Sequence, residues 1–195
     1  ISALIRTGSW LDPPDKVGLA ALTGTVMRTG GSGGFSAAQL EEELAQVGGR
    51  MTITIGRQSG SASLDILKKD VENAIRVFAG AIRKPAFDSA SVELAKLQAV
   101  ERIRRREDEP DSVASREFTK LLYGAGHPAA REGSIESLAR ITKDDLIEFH
   151  RKTIHPNGII LGVSGDLMKD EMAALVQEAF GDWEMGPVPE LRVAD

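Results

Sequence analysis

The chain has 195 residues, of which 42% are hydrophobic and 27% are charged, a composition typical of a globular protein and not of a disordered one. Its 24 basic and 29 acidic side chains give a formal net charge of −5, which argues against nucleic acid as the main partner. The absence of cysteine excludes disulfide bonds, thiolate metal sites and a thiol nucleophile. No apolar run approaches the roughly 18 residues that a membrane-spanning helix needs, so no membrane span is expected.

The chain opens with an alternation of apolar and polar residues over positions 1–6, which predicts a β-strand. Because the sequence starts inside this element, we expect the chain to be part of a longer protein, with any export signal upstream. The sequence leaves the compartment, periplasmic or cytoplasmic, open.

Residues 18–31 predict a short amphipathic helix with glycine at both ends and in its middle. One face is apolar and carries Leu19, Leu22, Val26 and Met27. Another face carries Ala21, Gly24, Thr25 and Arg28. A glycine inside a helix costs about 1 kcal/mol relative to alanine, so Gly24 marks either a tolerated surface position or a close approach to the backbone. The surface position is the favoured interpretation.

The next segments predict a helix followed by a β-hairpin. Ser36 and Gln39 are spaced as a capping box at the start of the helix. Residues 51–55 then alternate between apolar and polar side chains, as a half-buried strand does. A loop over 56–60 turns the chain into a second strand over 61–67.

Two helices follow, over residues 71–82 and from Asp88 to about residue 108. The second ends in a run of mixed charge: Arg102, Arg104, Arg105, Arg106, Glu107, Asp108 and Glu109. Such a run can bind an anion, but a solvated helix end with internal ion pairs is the favoured interpretation.

Four further helices and one strand are predicted in the rest of the chain. The helices cover residues 111–123 and 134–140, then begin at Thr142, with Asp145 completing a capping box, and after Asp166. Residues 158–164 are a short apolar run that predicts a central strand. We interpret residues 1–181 as a single domain and residues 182–195, with two prolines, as a linker to a following domain.

Other chemistry has weaker support. His150 and His155 are a conceivable metal pair with a distant carboxylate, but the helix break at Pro156 favours ordinary capping and surface roles. Spacing does not exclude a serine triad, which needs a serine, a histidine and an aspartate brought together by folding.

The ordered set of motifs resembles the pitrilysin/insulinase family of zinc peptidases, the inverted zincins, over nearly the whole chain. Gly18, Ala20 and Gly30 match framework positions of the family's Gly-x-Ala-His-x-x-Glu-His-x-x-x-x-Gly-Thr helix. The second half matches the family's Leu-Tyr-Gly-x-x-His-Pro, Ile-Thr-x-x-Asp-Leu-x-x-Phe and Val-x-Gly-Asp patterns.

The resemblance implies that the metal site has been lost. Ala21 and Thr25 stand where the family has its two zinc-binding histidines, and Gly24 stands where it has the general-base glutamate. The family's third zinc ligand corresponds to Arg102 or, one residue away in register, to Glu101. The resemblance therefore implies no catalytic residue and no zinc in this chain.

In the family, the first strand of the hairpin pairs with extended substrate by strand addition. The corresponding residues are Met51, Thr52, Ile53, Thr54 and Ile55. Thr52 and Ile53 replace the asparagine and alanine of the family pattern. A peptide-pairing strand at this place is an expectation from the resemblance.

The resemblance implies an α+β fold with a mixed, mainly antiparallel sheet and helices packed on one face, like one half of a pitrilysin or mitochondrial processing peptidase subunit. It also implies a domain that is inactive alone and completes the substrate chamber of a zinc-bearing partner, either a homologous subunit or a second family domain. The alternative is a structural or binding module of the same fold with no peptidase role. A third possibility is an active peptidase whose ligands lie in another part of the protein.

Overall fold

The computed structural model describes residues 1–190, which form four strands and eight α-helices. The strands are β1 (Ser2–Ile5), β2 (Arg50–Ile55), β3 (Gly60–Asp65) and β4 (Ile159–Gly162). The helices are α1 (Leu19–Thr29), α2 (Ala37–Gln46), α3 (Val71–Arg83), α4 (Ser89–Arg104), α5 (Pro110–Tyr123), α6 (Ile135–Arg140), α7 (Lys143–Thr153) and α8 (Lys169–Phe180). No helix among the described residues combines the length and the hydrophobicity that crossing a membrane requires.

The four strands form one antiparallel sheet in the order β2-β3-β1-β4. One face of the sheet is covered, and its apolar side chains are at most 6% exposed: Ala3, Ile5, Met51, Ile53, Ile55, Ala62 and Leu64. The opposite face carries exposed side chains, among them Leu4, Thr52 and Thr54. The helices therefore pack on one face of the sheet, and the predicted α+β class is confirmed.

Helix α1 lies in the middle of the helical layer, in contact with β2, α4 and α7. Its side chains Leu22, Val26 and Met27 are at most 2% exposed. Burial of each such side chain contributes about 1.5–3 kcal/mol, so the apolar face is sufficient to hold α1 in place.

The capping boxes predicted from the sequence are confirmed. The Ser36 hydroxyl accepts from the Gln39 N–H, and the Gln39 side chain accepts from the Ser36 N–H, at the start of α2. Thr142 and Asp145 make the same pair of bonds at the start of α7. These short-range signals fix where the two helices begin.

Two other predictions are wrong. Helix α4 ends at Arg104 and not near residue 108, because the chain turns there and Pro110 opens α5 at a position where a missing N–H is tolerated. Strand β4 is an edge strand and not a central one, because among the described strands it pairs with β1 alone. Its Ile160 is 72% exposed. A short apolar run does not by itself distinguish the two kinds of strand.

The segment after α8 lies against the domain as far as it is described. The side-chain amide of Asn157 donates to the carbonyl oxygen of Gly186 at 2.9 Å and accepts from the Gly186 N–H at 3.1 Å. Trp183 stacks on Phe180, with ring centroids 6.5 Å apart. Residues 191–195 of the predicted linker lie outside the described residues, and the domain boundary at residue 181 stays a prediction.

Candidate functional site

A buried carboxylate fixes the start of α1. Asp12 is 3% exposed, and its carboxylate accepts hydrogen bonds from the N–H groups of Gly18, at 2.8 Å, and Ala20, at 2.9 Å. Burial raises the pKa of Asp12 to about 6, although these N–H donors and the charge of Arg131 act in the opposite direction. Gly18 has a φ of 110°, which is readily accessible to glycine. The first turn, which carries Ala21, is therefore held in one place.

Gly24 lies where α1 touches the sheet. A Cβ added at this position would be 2.8 Å from the backbone nitrogen of Ile55 and 3.2 Å from the carbonyl carbon of Thr54. A side chain here would therefore require α1 or β2 to move, because close-packed backbone cannot rotate away. Gly24 is buried, so its interpretation as a tolerated surface position is wrong, and the close approach to the backbone is the reason for the glycine.

Arg28, one turn further along α1, binds the same strand. Its Nε donates to the carbonyl oxygen of Met51 at 2.7 Å, and its guanidinium pairs with Glu41 of α2. The sequence places Arg28 on this face of α1 but assigns it no role. Its spacing of four residues from Gly24 is the signal that both positions face one neighbour.

The outer edge of β2 is the predicted peptide-pairing edge. In an antiparallel edge strand, the N–H and C=O groups of every second residue point away from the neighbouring strand. The Met51 carbonyl oxygen accepts from Arg28 and so faces away from β3, and the same holds for the backbone groups of Ile53 and Ile55. Helix α1 contacts this edge at Met51 and at Ile55. Ile53 lies between the two contacts, and pairing of the strand with a peptide stays a prediction.

Ala21 and Thr25 lie in different clefts. Ala21 lines a cleft of about 280 Å³ between α1, α4, α5 and α6, which we call the arginine cleft. Its other lining residues include Leu22, Ala99, Arg102, Ile103, Arg106 and Arg116. Thr25 lines a second cleft, between α1, α2 and α4, and its hydroxyl donates to the carbonyl oxygen of Ala21 at 3.0 Å. The structure thus brings Ala21 together with Arg102, but leaves Gly24 and Thr25 outside that cleft.

One carboxylate in the arginine cleft is shared by three cations. Glu132 lies 3.4 Å from Arg106, 3.6 Å from Arg116 and 3.2 Å from Lys120. Arg116 also donates to the carbonyl oxygen of Arg106 at 2.7 Å, and Arg106 donates to that of Gly133 at 3.2 Å. These contacts hold α5 and the loop before α6 against the end of α4.

Arg102 differs from its neighbours in the arginine run. Arg104 pairs with Glu101 at 2.6 Å, as expected for internal ion pairs at a helix end. Arg102 is exposed at the mouth of the cleft, and its side chain has no hydrogen-bond or ion-pair partner among the described residues. Of the two candidates for the third-ligand position, Arg102 shares a cleft with Ala21 and Glu101 does not line it. The assignment itself stays a prediction.

The residues of this region do not fit zinc. Alanine and glycine side chains carry no ligand atom, the Thr25 hydroxyl donates to the backbone, and the Arg102 guanidinium repels a cation. Across residues 1–190, no group of three or more His, Asp and Glu side chains is arranged to hold a metal ion. His150 has another role, because its Nε2 lies 2.7 Å from the carbonyl oxygen of Ile82 and burial lowers its pKa.

The described residues form an α+β domain with no metal ligands on its central helix. The model of the insulinase family, Peptidase family M16, matches residues 1–130. The model of the Peptidase M16 inactive domain matches residues 140–194. The chain belongs to the M16, or insulinase, family of peptidases.

Curated relatives and solved structures agree with this assignment. An uncharacterized zinc protease of Mycobacterium leprae is 28% identical over 148 residues, which are 75% of this chain and 33% of the relative. The non-peptidase homolog YmxG of Helicobacter pylori is 26% identical over 196 residues, covering 97% of this chain and 44% of the relative. The chain therefore spans between a third and a half of the length of these relatives.

Two solved structures show the same fold. The peptidase M16 inactive domain from Pseudomonas fluorescens superposes with a TM-score of 0.88 at 25% identity, over 99% of this chain and 47% of that one. Pitrilysin superposes with a TM-score of 0.82 at 20% identity, over 98% of this chain and 21% of its own. The predicted likeness to one half of a pitrilysin-family subunit is confirmed.

Proposed function

We propose that this domain is a non-catalytic part of a zinc peptidase and completes the substrate chamber of a zinc-bearing partner. The partner is a homologous subunit or a second domain of the same family. One observation carries the proposal: α1 keeps the framework glycines and the buried face, while Gly24 lies against the backbone of Ile55, where a general base would need room. The domain then supplies shape and binding surface, and zinc is expected only in the partner.

Two comparisons support the non-catalytic role. The C-terminal part of the chain matches the family model of the inactive domain, and the P. fluorescens relative bears that description. The H. pylori relative is named a non-peptidase homolog, which favours the alternative of a structural or binding module. Peptide turnover separates the two, because only a chamber component changes the rate of a partner.

The chain alone provides the first test. After dialysis we expect it to contain well under one zinc per chain by elemental analysis, and to leave a panel of fluorogenic peptides uncleaved. The physical reason is that Ala21, Gly24 and Thr25 offer neither an imidazole nor a base. One tightly bound zinc per chain, or cleavage that a chelator abolishes, would contradict the proposal.

The second test adds a zinc-bearing family member from the same genome, with an intact His-x-x-Glu-His motif. We expect co-elution in size-exclusion chromatography and a severalfold gain in peptide turnover. A partner whose general-base glutamate is changed to glutamine is the control, and it must abolish turnover. Co-elution without a gain in turnover favours the structural module. No association at micromolar concentrations counts against both functions.

A further inference from the structure

Arg102 belongs to a run of arginines at the end of α4. A helical side chain meets the residues three and four positions away. Within α4, which ends at Arg104, these are Gln98 and Ala99 for Arg102, and neither is acidic. The described residues offer Arg102 no counter-charge, so its five N–H donors are available to an anion at the mouth of the cleft.

The charge of the arginine cleft is opposite to that of the whole chain. Three arginines and one glutamate line it, which gives a formal charge of +2, on a chain whose formal charge is −5. Arginine binds carboxylates through two parallel hydrogen bonds, which lysine cannot do. The remaining walls are mainly apolar and include Ala21, Leu22, Ala99, Ile103 and Leu138. The cleft therefore suits an anion that carries an apolar group.

We propose that the arginine cleft binds the C-terminal carboxylate of a peptide whose last side chain is apolar. The carboxylate pairs with Arg102, and the last side chain lies on the apolar wall beside Ala21 and Ile103. A volume of about 280 Å³ is at the lower end for ligand pockets, so it suits one or two residues. The Glu132 carboxylate has about four acceptor sites and three cationic neighbours, so it can still accept from a peptide N–H, a donor that a fatty acid lacks.

This binding site goes beyond the chamber role and does not need a partner, so the two proposals can fail separately. The test is a titration of the 20.9 kDa chain, labelled with ¹⁵N and followed by amide chemical shifts. The probes are the tripeptide Ala-Ala-Leu with a free carboxylate, the same tripeptide as its C-terminal amide, and octanoate. We expect the free acid to bind at least about tenfold more tightly than the amide. The shifts should cluster on α1, the end of α4 and the start of α6.

Two variants locate the site. Arg102→Gln should weaken binding of the free acid about tenfold or more, because one charge-assisted pair is lost. Arg105→Gln is the matched control, because Arg105 is exposed in the same run but does not line the cleft, and it should change affinity less than about twofold. Ala21→Leu should weaken binding of the acid, because the larger side chain would occupy the space beside Ile103 that the last peptide side chain needs. The amide spectra of all three variants show directly whether each is folded.

Several results would overturn the proposal. One is equal affinity of the chain for the peptide acid and the peptide amide. Another is an affinity of Arg102→Gln for the acid that equals that of the native chain. A third is the absence of amide chemical-shift changes at millimolar peptide. Octanoate binding as tightly as the peptide acid would refute the peptide as the ligand. A fall in affinity between low and high salt is expected in the native chain and should be smaller in Arg102→Gln.

Discussion

Replacing Gly24 by alanine tests whether α1 lies against β2 because a side chain is missing. At an open helix position this change stabilises a protein by about 0.5–1 kcal/mol, since glycine loses more conformational freedom on folding. Here the new Cβ would be 2.8 Å from the backbone nitrogen of Ile55, and backbone cannot rotate away. Overpacking of this kind costs about 1–3 kcal/mol. We therefore expect Gly24→Ala to lower the free energy of unfolding by about 0.5–2 kcal/mol.

Gly80→Ala is the matched control. Gly80 lies inside α3, and the nearest atoms to an added Cβ are 3.6 Å away, at ordinary contact distance. This variant should be more stable than the native chain by about 0.5–1 kcal/mol. Urea unfolding followed by circular dichroism should separate the two variants by about 1–3 kcal/mol. If Gly24→Ala stabilises as much as Gly80→Ala, the steric argument against a general base at position 24 is wrong.

Two further predictions concern contacts that hold α1. Because the folded pKa of Asp12 is about 6 and the unfolded value about 4, its contribution to stability is complete below about pH 4 and is lost as the pH rises through about 6. We expect the free energy of unfolding of the native chain, measured in urea, to fall by up to about 3 kcal/mol relative to that of Asp12→Asn between about pH 4 and pH 7. If the free energies of unfolding of the two proteins change in parallel with pH, this prediction is wrong. Arg28→Met should cost about 1–2 kcal/mol because the Met51 carbonyl loses a charged donor. Glu41→Gln should cost less than half as much, and equal costs would place the stabilisation in the exposed ion pair.

Local signals in the sequence predict most of the fold. The capping residues Ser36 and Thr142 fix helix starts through bonds that span three residues, and alternation in residues 51–55 reports a strand with one covered face. The order of strands depends on long-range pairing, so an apolar run such as residues 158–164 cannot reveal that β4 lies at an edge. Gly24 is likewise explained only by a long-range contact, because its neighbour Ile55 in β2 is far along the chain.

The sequence names residues for the candidate site, but it does not give their arrangement in space. The resemblance predicts that Ala21, Gly24 and Thr25 stand at the family's ligand and base positions, and this assignment stays a prediction. In the structure Ala21 and Thr25 line neighbouring clefts between α1 and α4, and Gly24 contacts the sheet. The partner of Arg106 is Glu132, across a turn and a whole helix, and no local pattern encodes that pair. Arg102 has no partner among residues 1–190, and such an absence is visible only in the folded structure.

The face of α1 that carries Gly24 and Arg28 makes contacts with the sheet. Gly24 lies against Ile55, and Arg28 donates to the carbonyl oxygen of Met51, so this face of α1 holds the outer edge of β2. The apolar face of the same helix is buried independently of these contacts, so the packing of α1 in the core rests on apolar side chains. Histidines placed at positions 21 and 25 would supply two ligands, but a glutamate at position 24 would first have to separate α1 from β2. The close approach of α1 to the edge strand therefore depends on the missing side chain at Gly24, which the Gly24→Ala variant tests directly.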